Sequence, residues 1–333
     1  MTETVPDVTF VIAAYNSADT IVRAVESALR QEGVTLEVIV IDDCSSDDTT
    51  ATVLSMAEAD PRIRLVALEN NRGPGGARNA GLSQARGRWI AVLDADDTIK
   101  SDRLARMLAR AKTTGAQIVV DNLDVVSGDG HCRRMFDERQ LVDQPILRLP
   151  AFIESNILFR SGHNFGYMKP VFERSFLEAH DLRFDESLRI GEDYLLLASA
   201  LAVGGICAIE PVAGYTYHIR EGSISRVLKQ HHVEAMLASD KIFLETYRLD
   251  GPAMAAQRRR TRSLKTASAF VALIDFLKQR SFAGAVGVAI AHPSALWHLR
   301  MPITVRLQRM IAPLLGANRS AKAAPSSTPG QRP

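Results

Sequence analysis

Short apolar runs alternate with amphipathic stretches through the first 122 residues. Val8–Ala13 is almost continuously apolar, as a strand buried on both faces should be. Ala18–Gln31 then sets Ile21, Val22, Val25, Ala28 and Leu29 on one helical face. The same reading predicts strands over Leu36–Ile41, Arg64–Leu68, Trp89–Leu93 and Ile118–Asp121, with helices over Thr49–Ala59, Gly76–Arg86 and Asp102–Thr114 between them. Apolar strands joined by helices imply an α/β fold, a mostly parallel sheet with helices on both faces.

The alternation loosens over residues 123–190, where short strands, loops and helix fragments mix. Glu192–Val203 returns to helix, and Ile206–Ile209 and Gly214–His218 read as two short strands. Val227–Arg280 reads as two long helices parted by Asp250, Gly251 and Pro252. The last seventeen residues, rich in Ala, Ser and Pro, are expected to be disordered.

Composition is that of a globular protein, with 46% hydrophobic and 23% charged residues. The start lacks a basic, apolar leader, and no apolar run approaches the ~20 residues that span a bilayer. Cys44, Cys132 and Cys207 stand far apart in no metal-ligand spacing and read as small buried hydrophobes of a reduced, cytoplasmic protein. The net charge of +2 conceals a division. From Gly251 onward there are thirteen Lys or Arg and one acid, Asp275, so the preceding chain is acidic and the last quarter strongly basic.

In a doubly wound sheet, ligands bind beyond the C-terminal ends of the strands. Four such ends are polar here: Ala14-Tyr15-Asn16, Asp42–Thr49, Asn71–Asn79 and Asp94-Ala95-Asp96-Asp97. Carboxylates as close as Asp94, Asp96 and Asp97 repel one another, and a hard divalent cation, Mg2+ or Mn2+, removes the repulsion. Helix capping by Asp97 or Ser101 would account for one acid of the set and leave the others unexplained. Ser46, Asp47 and Asp48 suit the first turn of a helix, whereas Asp42 or Asp43 could accept the imide N–H of a uracil ring stacked on Tyr15. Gly73–Gly76 opens a helix towards possible phosphate, and Arg78 follows one turn inside it.

In order and spacing, Phe10–Asn16, Val40–Thr49, Ala77–Gly81 and Leu93–Asp97 resemble the motif series of family 2 glycosyltransferases across about the first 225 residues. The resemblance implies a GT-A fold and an inverting transferase that uses a sugar, usually a hexose, activated by a nucleoside diphosphate such as UDP. It implies that Ala14, Tyr15, Asn16, Asp43, Arg78 and Asp94 bind the nucleotide sugar: Tyr15 stacks on the base, Asp43 reads it, Arg78 approaches the diphosphate and Asp94 lies near ribose. Asp96, with Asp97, is implied to hold the metal, and His218 is a further candidate ligand. The family's acidic base corresponds to Asp193, with Glu192 as the neighbouring alternative. Tyr217–Arg220 with Ser223 and Ser225 resembles a loop that closes over the diphosphate.

Phe165–Val171 and the helical end are similar to exopolysaccharide glucosyltransferases of the succinoglycan type. That similarity implies a glycan acceptor on polyprenyl pyrophosphate, presented at the inner face of the plasma membrane. The expected division is a catalytic domain over residues 1–225, with a nucleotide-sugar half (1–122) and an acceptor half (123–225), then a basic helical extension (226–316) and a tail (317–333).

Other nucleotide folds do not fit. A dinucleotide dehydrogenase needs its glycine fingerprint where this chain has Ala13-Ala14-Tyr15-Asn16, and no Walker loop, HExxH or CxxC occurs. A nucleotidyltransferase would carry a GxGTR loop after the first strand, which is absent. The alternative from another class is an inactive, glycosyltransferase-like scaffold at a membrane assembly. Arg258, Arg259, Arg260 and Arg262, and the series Trp297, Arg300, Ile303, Arg306, Leu307, Arg309, Ile311 and Leu314, are expected to meet anionic lipid rather than nucleic acid, for which no reader motif is present.

Overall fold

The computed structural model describes residues 5–159, 164–219 and 228–299. Its first elements follow the hydrophobic pattern: β1 (Val8–Ala14), α1 (Ile21–Leu29), β2 (Leu36–Asp42), α2 (Thr49–Ala59), β3 (Ile63–Ala67), α3 (Gly73–Gln84), β4 (Trp89–Val92), β5 (Thr98–Ile99), α4 (Arg103–Thr114) and β6 (Ile118–Val126). Next come β7 (Cys132–Arg134), α5 (Glu138–Asp143), β8 (Ile146–Leu147), α6 (Leu149–Ser155), β9 (Val171–Glu173), α7 (Arg174–Ala179), α8 (Glu192–Ala202) and β10 (Cys207–His218). The helices α9 (Gln230–Thr246), α10 (Gly251–Lys278), α11 (Phe282–Ala291) and α12 (Pro293–Leu296) complete the order.

Ten strands form one sheet along the path β3-β2-β1-β4-β9-β6-β10-β5, with β7 on β6 and β8 on β10. Strands β1 to β4 are mutually parallel, as are β6 and β10, so the predicted mostly parallel α/β sheet is present. Phe10, Ile12, Val38, Val40, Val119 and Ile209 are fully buried in its centre. Strand β9 runs against both neighbours, Ala91 pairing with Val171 and Ile118 with Phe172. Its first residues therefore lie at the same edge of the sheet as the ends of the parallel strands. Helix α3 is pressed onto that sheet: a Cβ on Gly81 would lie 2.5 Å from Val11 and 2.6 Å from Ile41.

Several boundaries differ from the sequence reading for physical reasons. Helix α3 begins at Gly73, where φ is +78°, because Pro74 suits a first helical turn. Strand β6 continues through Asp121, whose carboxylate pairs with Arg103 at 2.8 Å; both side chains are fully buried, so the charge does not end the strand. The two short strands expected before His218 are one strand, β10, whose register shifts between Glu210 and Tyr215, around Pro211 and Gly214. Asp102 starts α4 without a side-chain cap, so helix capping does not account for the acids before it. Of the cysteines, Cys207 is buried as expected but Cys44 and Cys132 are exposed. Cys44 sits in the loop after β2 at φ +64°, and Cys132 lies on the short strand β7.

The chain divides into two compact units, one ending at Lys265 and the other beginning at Thr266. Within the first, two residues of the basic run of α10, Arg259 and Arg260, are spent on neighbouring acids, which corrects for those two the expectation that they face lipid. Arg260 is buried: Nε donates to Asp240 Oδ1 at 3.2 Å, Nη1 donates to Asn156 O at 3.2 Å, and the guanidinium lies 3.8 Å from the Tyr194 ring centroid. Arg259 Nε donates to Glu154 at 2.8 Å. Within the second unit, Gly284 of α11 approaches Phe276 so closely that a Cβ would lie 2.6 Å from the ring. Arg300, Ile303, Arg306, Leu307, Arg309, Ile311, Leu314 and residues 317–333 lie outside the described residues. Among the described residues, no helix is long and apolar enough to cross a membrane.

Candidate active site

The ends of β1, β2 and β4 and the starts of α3, α8 and β9 converge on one edge of the sheet. Ala14 is buried at the end of β1, and its carbonyl accepts the Asp43 N–H at 2.8 Å, tying the first two strand ends together. Asn16, in the left-handed region at φ +49°, reinforces the tie by accepting the Ser46 N–H at 2.8 Å and donating its own N–H to Ser45 Oγ at 2.9 Å. Tyr15 between them is 52% exposed and leaves its ring open to a stacking partner.

Asp43 is buried and faces the glycine turn. Its Oδ1 accepts the Arg72 N–H at 2.7 Å and its Oδ2 the Gly73 N–H at 2.8 Å, so it satisfies donors at the start of α3. Burial raises its pKa above the ordinary carboxylate value, against the lowering effect of those two N–H groups. Arg189 lies across the same turn, donating to Asn71 Oδ1 at 2.8 Å, and its guanidinium fills the space a Cβ on Gly73 would need. Sequence reading missed Arg189.

Arg78 stands at the centre of the site. Its Nη2 donates to Asp94 Oδ1 at 2.7 Å, and its Nη1 donates to Glu192 Oε1 at 2.7 Å and Asp193 Oδ1 at 3.0 Å. Opposite it, Lys169 Nζ lies 2.7 Å from Asp94 Oδ2 and 2.6 Å from Asp193 Oδ2. Two cations thus hold three carboxylates: Asp94 from the turn after β4, and Glu192 and Asp193, nearly a hundred positions later, from the start of α8. Burial opposes the charge on Arg78 and Lys169, but Asp193 and Asp94 outweigh it and raise both pKa values. Burial likewise opposes ionisation of Asp94, yet Lys169 and Arg78 hold its carboxyl far below the usual range. Glu192, more deeply set, is shifted upward by burial and by Asp193.

Lys169 was not among the expected site residues. It precedes β9, and only the reversed direction of that strand brings it to the site. Its carbonyl accepts from Arg103 Nη2 at 2.7 Å, so the buried Arg103–Asp121 pair fixes its backbone. A lysine within an apolar run before a proline was the available signal.

Asp94, Asp96 and Asp97 do not play one role. Asp96 is half-buried, and its carbonyl accepts from Arg23 Nη2. Asp97 is fully buried: Oδ2 accepts from the Tyr215 hydroxyl at 2.8 Å and Oδ1 from the His218 N–H at 2.8 Å. Burial, then Asp94 and Asp96, push the Asp97 carboxyl well above its ordinary pKa. His218 is partly buried with Nε2 3.1 Å from Thr98 Oγ1, and burial lowers its pKa, with Arg23 adding to the effect. The structure therefore brings His218 beside the acidic turn. Arg220, Ser223 and Ser225 of the expected closing loop lie outside the described residues.

This arrangement can be set against known proteins. The chain is 63% identical over 330 residues, 98% of its length and 94% of the relative's, to succinoglycan biosynthesis protein ExoO of Rhizobium meliloti (strain 1021). It is 36% identical to succinoglycan biosynthesis protein ExoU of the same organism, over 89% of this chain and 86% of that protein. It is 27% identical, over 66% of the chain and 79% of the relative, to the Escherichia coli protein named UDP-Glc:alpha-D-GlcNAc-diphosphoundecaprenol beta-1,3-glucosyltransferase WfgD. Among solved structures, S. aureus TarS 1-349 in complex with UDP-GlcNAc superposes with a TM-score of 0.60 at 18% identity, covering 86% of this chain and 91% of that one. The mannosyltransferase PcManGT from Pyrobaculum calidifontis, in complex with GDP-Man and Mn2+, gives 0.57 at 19% identity over 92% and 88%. These likenesses establish the GT-A fold. The model of the glycosyl transferase family 2 matches residues 9–176, and with near full-length identity to ExoO this chain belongs to that family and is a glycosyltransferase.

Proposed function

We propose that this glycosyltransferase moves a hexose, with inversion, from a UDP-linked donor to a polyprenyl-diphosphate-linked glycan during bacterial exopolysaccharide synthesis, working at the inner face of the plasma membrane. The observation that carries the reading is the cluster in which Arg78 and Lys169 hold Asp94, Glu192 and Asp193 beside the open ring of Tyr15. The relatives named for succinoglycan biosynthesis support the pathway class, and WfgD's name supports both the donor and a diphosphate-lipid acceptor.

In this reading Tyr15 stacks on the base, Asp43 reads its edge, Asp94 lies against ribose, and Ala14 and Asn16 shape the wall. Asp193 takes the proton from the attacking acceptor hydroxyl, its carboxylate held in place by Arg78 and Lys169. Among the described residues no three acids, histidines or cysteines converge to cage a metal. An ion held here by fewer than three protein groups would take its remaining ligands from water and substrate phosphates, as Mg2+ and Mn2+ do, and the crowding of Asp94, Asp96 and Asp97 in one turn supplies negative charge that favours it. Asp96 and His218 would hold the ion, with Asp97 behind them fixing Tyr215 and the His218 backbone. When bound, it would neutralise charge on the leaving diphosphate.

The experiment is a screen of UDP-glucose, UDP-galactose, UDP-GlcNAc and GDP-mannose, with Mn2+, Mg2+ or EDTA. It scores nucleotide release with and without lipid-linked acceptor extract, and product anomeric configuration by NMR. A UDP sugar should be consumed only with divalent ion and acceptor, inverting the anomeric centre, and Asp96→Ala should abolish ion-dependent UDP binding. Equal UDP affinity with and without ion, or a retained configuration, would overturn the reading.

A further inference from the structure

Helix α11, Phe282–Ala291, reads FAGAVGVAIA and has no polar side chain. A helix that is apolar all round is ordinarily buried all round. Here one face is packed, with Ala285 buried and Gly284 against Phe276. The other face presents Phe282, Val286 and Ile290 on successive turns, and they are 69%, 56% and 75% exposed. Ala283, Gly287 and Ala291 on the same side are exposed as well, so half of the helix surface offers water nothing to bond.

Charge identifies the occupant. Arg280 is exposed just before the helix, and the described residues of the second unit carry Lys278 and Arg280 against one acid, Asp275. A second copy of the chain seated on this face would bring the same positive charge against itself. An anionic bilayer offers acyl chains to the stripe and phosphates to the flanking cations. Ten residues of helix measure about 15 Å, half of a hydrocarbon core, so α11 lies along the surface rather than through it.

We propose that α11 is the segment that rests the protein on anionic lipid, Phe282, Val286 and Ile290 entering the boundary between headgroups and acyl chains. The inference deepens the lipid-linked acceptor reading above and rests on it for its biological purpose. It also relocates the lipid contact from Arg259 and Arg260, which are paired within the first unit, to an apolar stripe.

The test uses the full chain and sedimentation with phosphatidylcholine vesicles, with and without phosphatidylglycerol. Wild type should bind only the anionic vesicles. F282D/I290D should lose binding by about tenfold or more, and F282L/I290L should keep it. UDP binding with Mn2+, measured on the same proteins, should stay within about twofold, which separates loss of lipid contact from failure of the nucleotide site. No binding by wild type at low salt, full binding by F282D/I290D, or a solution dimer that F282D/I290D dissolves would each overturn the proposal. If F282D/I290D does not fold, wild-type emission decides. Trp297 is 67% exposed and the other tryptophan, Trp89, is buried, so brominated anionic lipid should quench Trp297, and unchanged emission overturns the proposal.

Discussion

Lys169 Nζ lies 2.6 Å from Asp193 Oδ2, while Arg78 Nη1 lies 3.0 Å from Asp193 Oδ1. Each oxygen of the proposed base is therefore held by a different cation, which fixes the direction in which its free lone pairs point. Lys169 also reaches Asp94, so it keeps two partly buried carboxylates from facing each other unscreened. Lys169→Met preserves length and removes charge. Unfolding free energy in urea should fall by about 3 kcal/mol, as for other broken buried pairs. Turnover should fall by about a hundredfold, and Lys169→Arg should recover more than half of the stability. A Lys169→Met protein as stable and active as wild type would show that the amine holds nothing.

Asp193 and Glu192 can be told apart by substitution. Asp193 is the more exposed of the two and is aimed between the cations, whereas Glu192 is buried against Arg78. Asp193→Asn should cut kcat by roughly 10²–10⁴ with UDP affinity nearly unchanged. Glu192→Gln should cost less in kcat. The reverse order in steady-state kinetics would transfer the role to Glu192.

Arg260 joins α10 to the helix that carries those two acids. Replacing it by Met should leave Asp240 buried without its cation and remove the stack on Tyr194, at a cost of about 3 kcal/mol. Adding Asp240→Leu should restore most of that loss, because a buried pair exchanged for apolar side chains is often neutral. Urea denaturation of the single and double variants gives both numbers. An additive double variant would mean that the two residues do not act as a pair.

Glu37 offers a pH-dependent test far from the proposed catalytic residues. Burial opposes its charge, but the Thr9 hydroxyl at 2.6 Å, the Arg86 N–H at 2.8 Å and the nearby arginines outweigh it, and the pKa is lowered. A lowered folded pKa gives stability that is fully present above the unfolded value of about 4.3 and is lost as pH falls through the folded value. Wild-type Tm should therefore drop more steeply than that of Glu37→Gln between about pH 5 and pH 3. At pH 7 the variant should be less stable by about 1–2 kcal/mol. Parallel Tm curves over that range would rule out the linkage.

The half of the fold that was legible is the half governed by periodicity. Strands β1, β2 and β4 announce themselves because both faces are buried, which leaves unbroken apolar runs such as Val38–Ile41. Strand ends then locate Tyr15, Asp43 and Asp94 without further information. Legibility stops where a tertiary partner decides the outcome. Asp121 looks like the end of a strand until Arg103 neutralises it, and Arg260 looks like a surface charge until Asp240 and Tyr194 enclose it. Lys169 was hidden for another reason: β9 has three residues, too few to show a period, and its direction cannot be read from composition.

Strand β9 has a mechanical meaning as well. It is hydrogen-bonded to β4 on one side and β6 on the other, so the part of the chain that supplies Asp94 and the part that supplies Asp193 share a single woven fabric. Two lobes joined by a covalent strap can swing about it; two halves sewn together by a common strand cannot, unless the seam is torn. Rotating one half of the sheet against the other would break backbone pairings at Ala91, Val119 and Ile118. Substrate entry and product exit therefore fall to the loops at the rim, and the distance between donor and acceptor is set when the sheet folds rather than at each turnover.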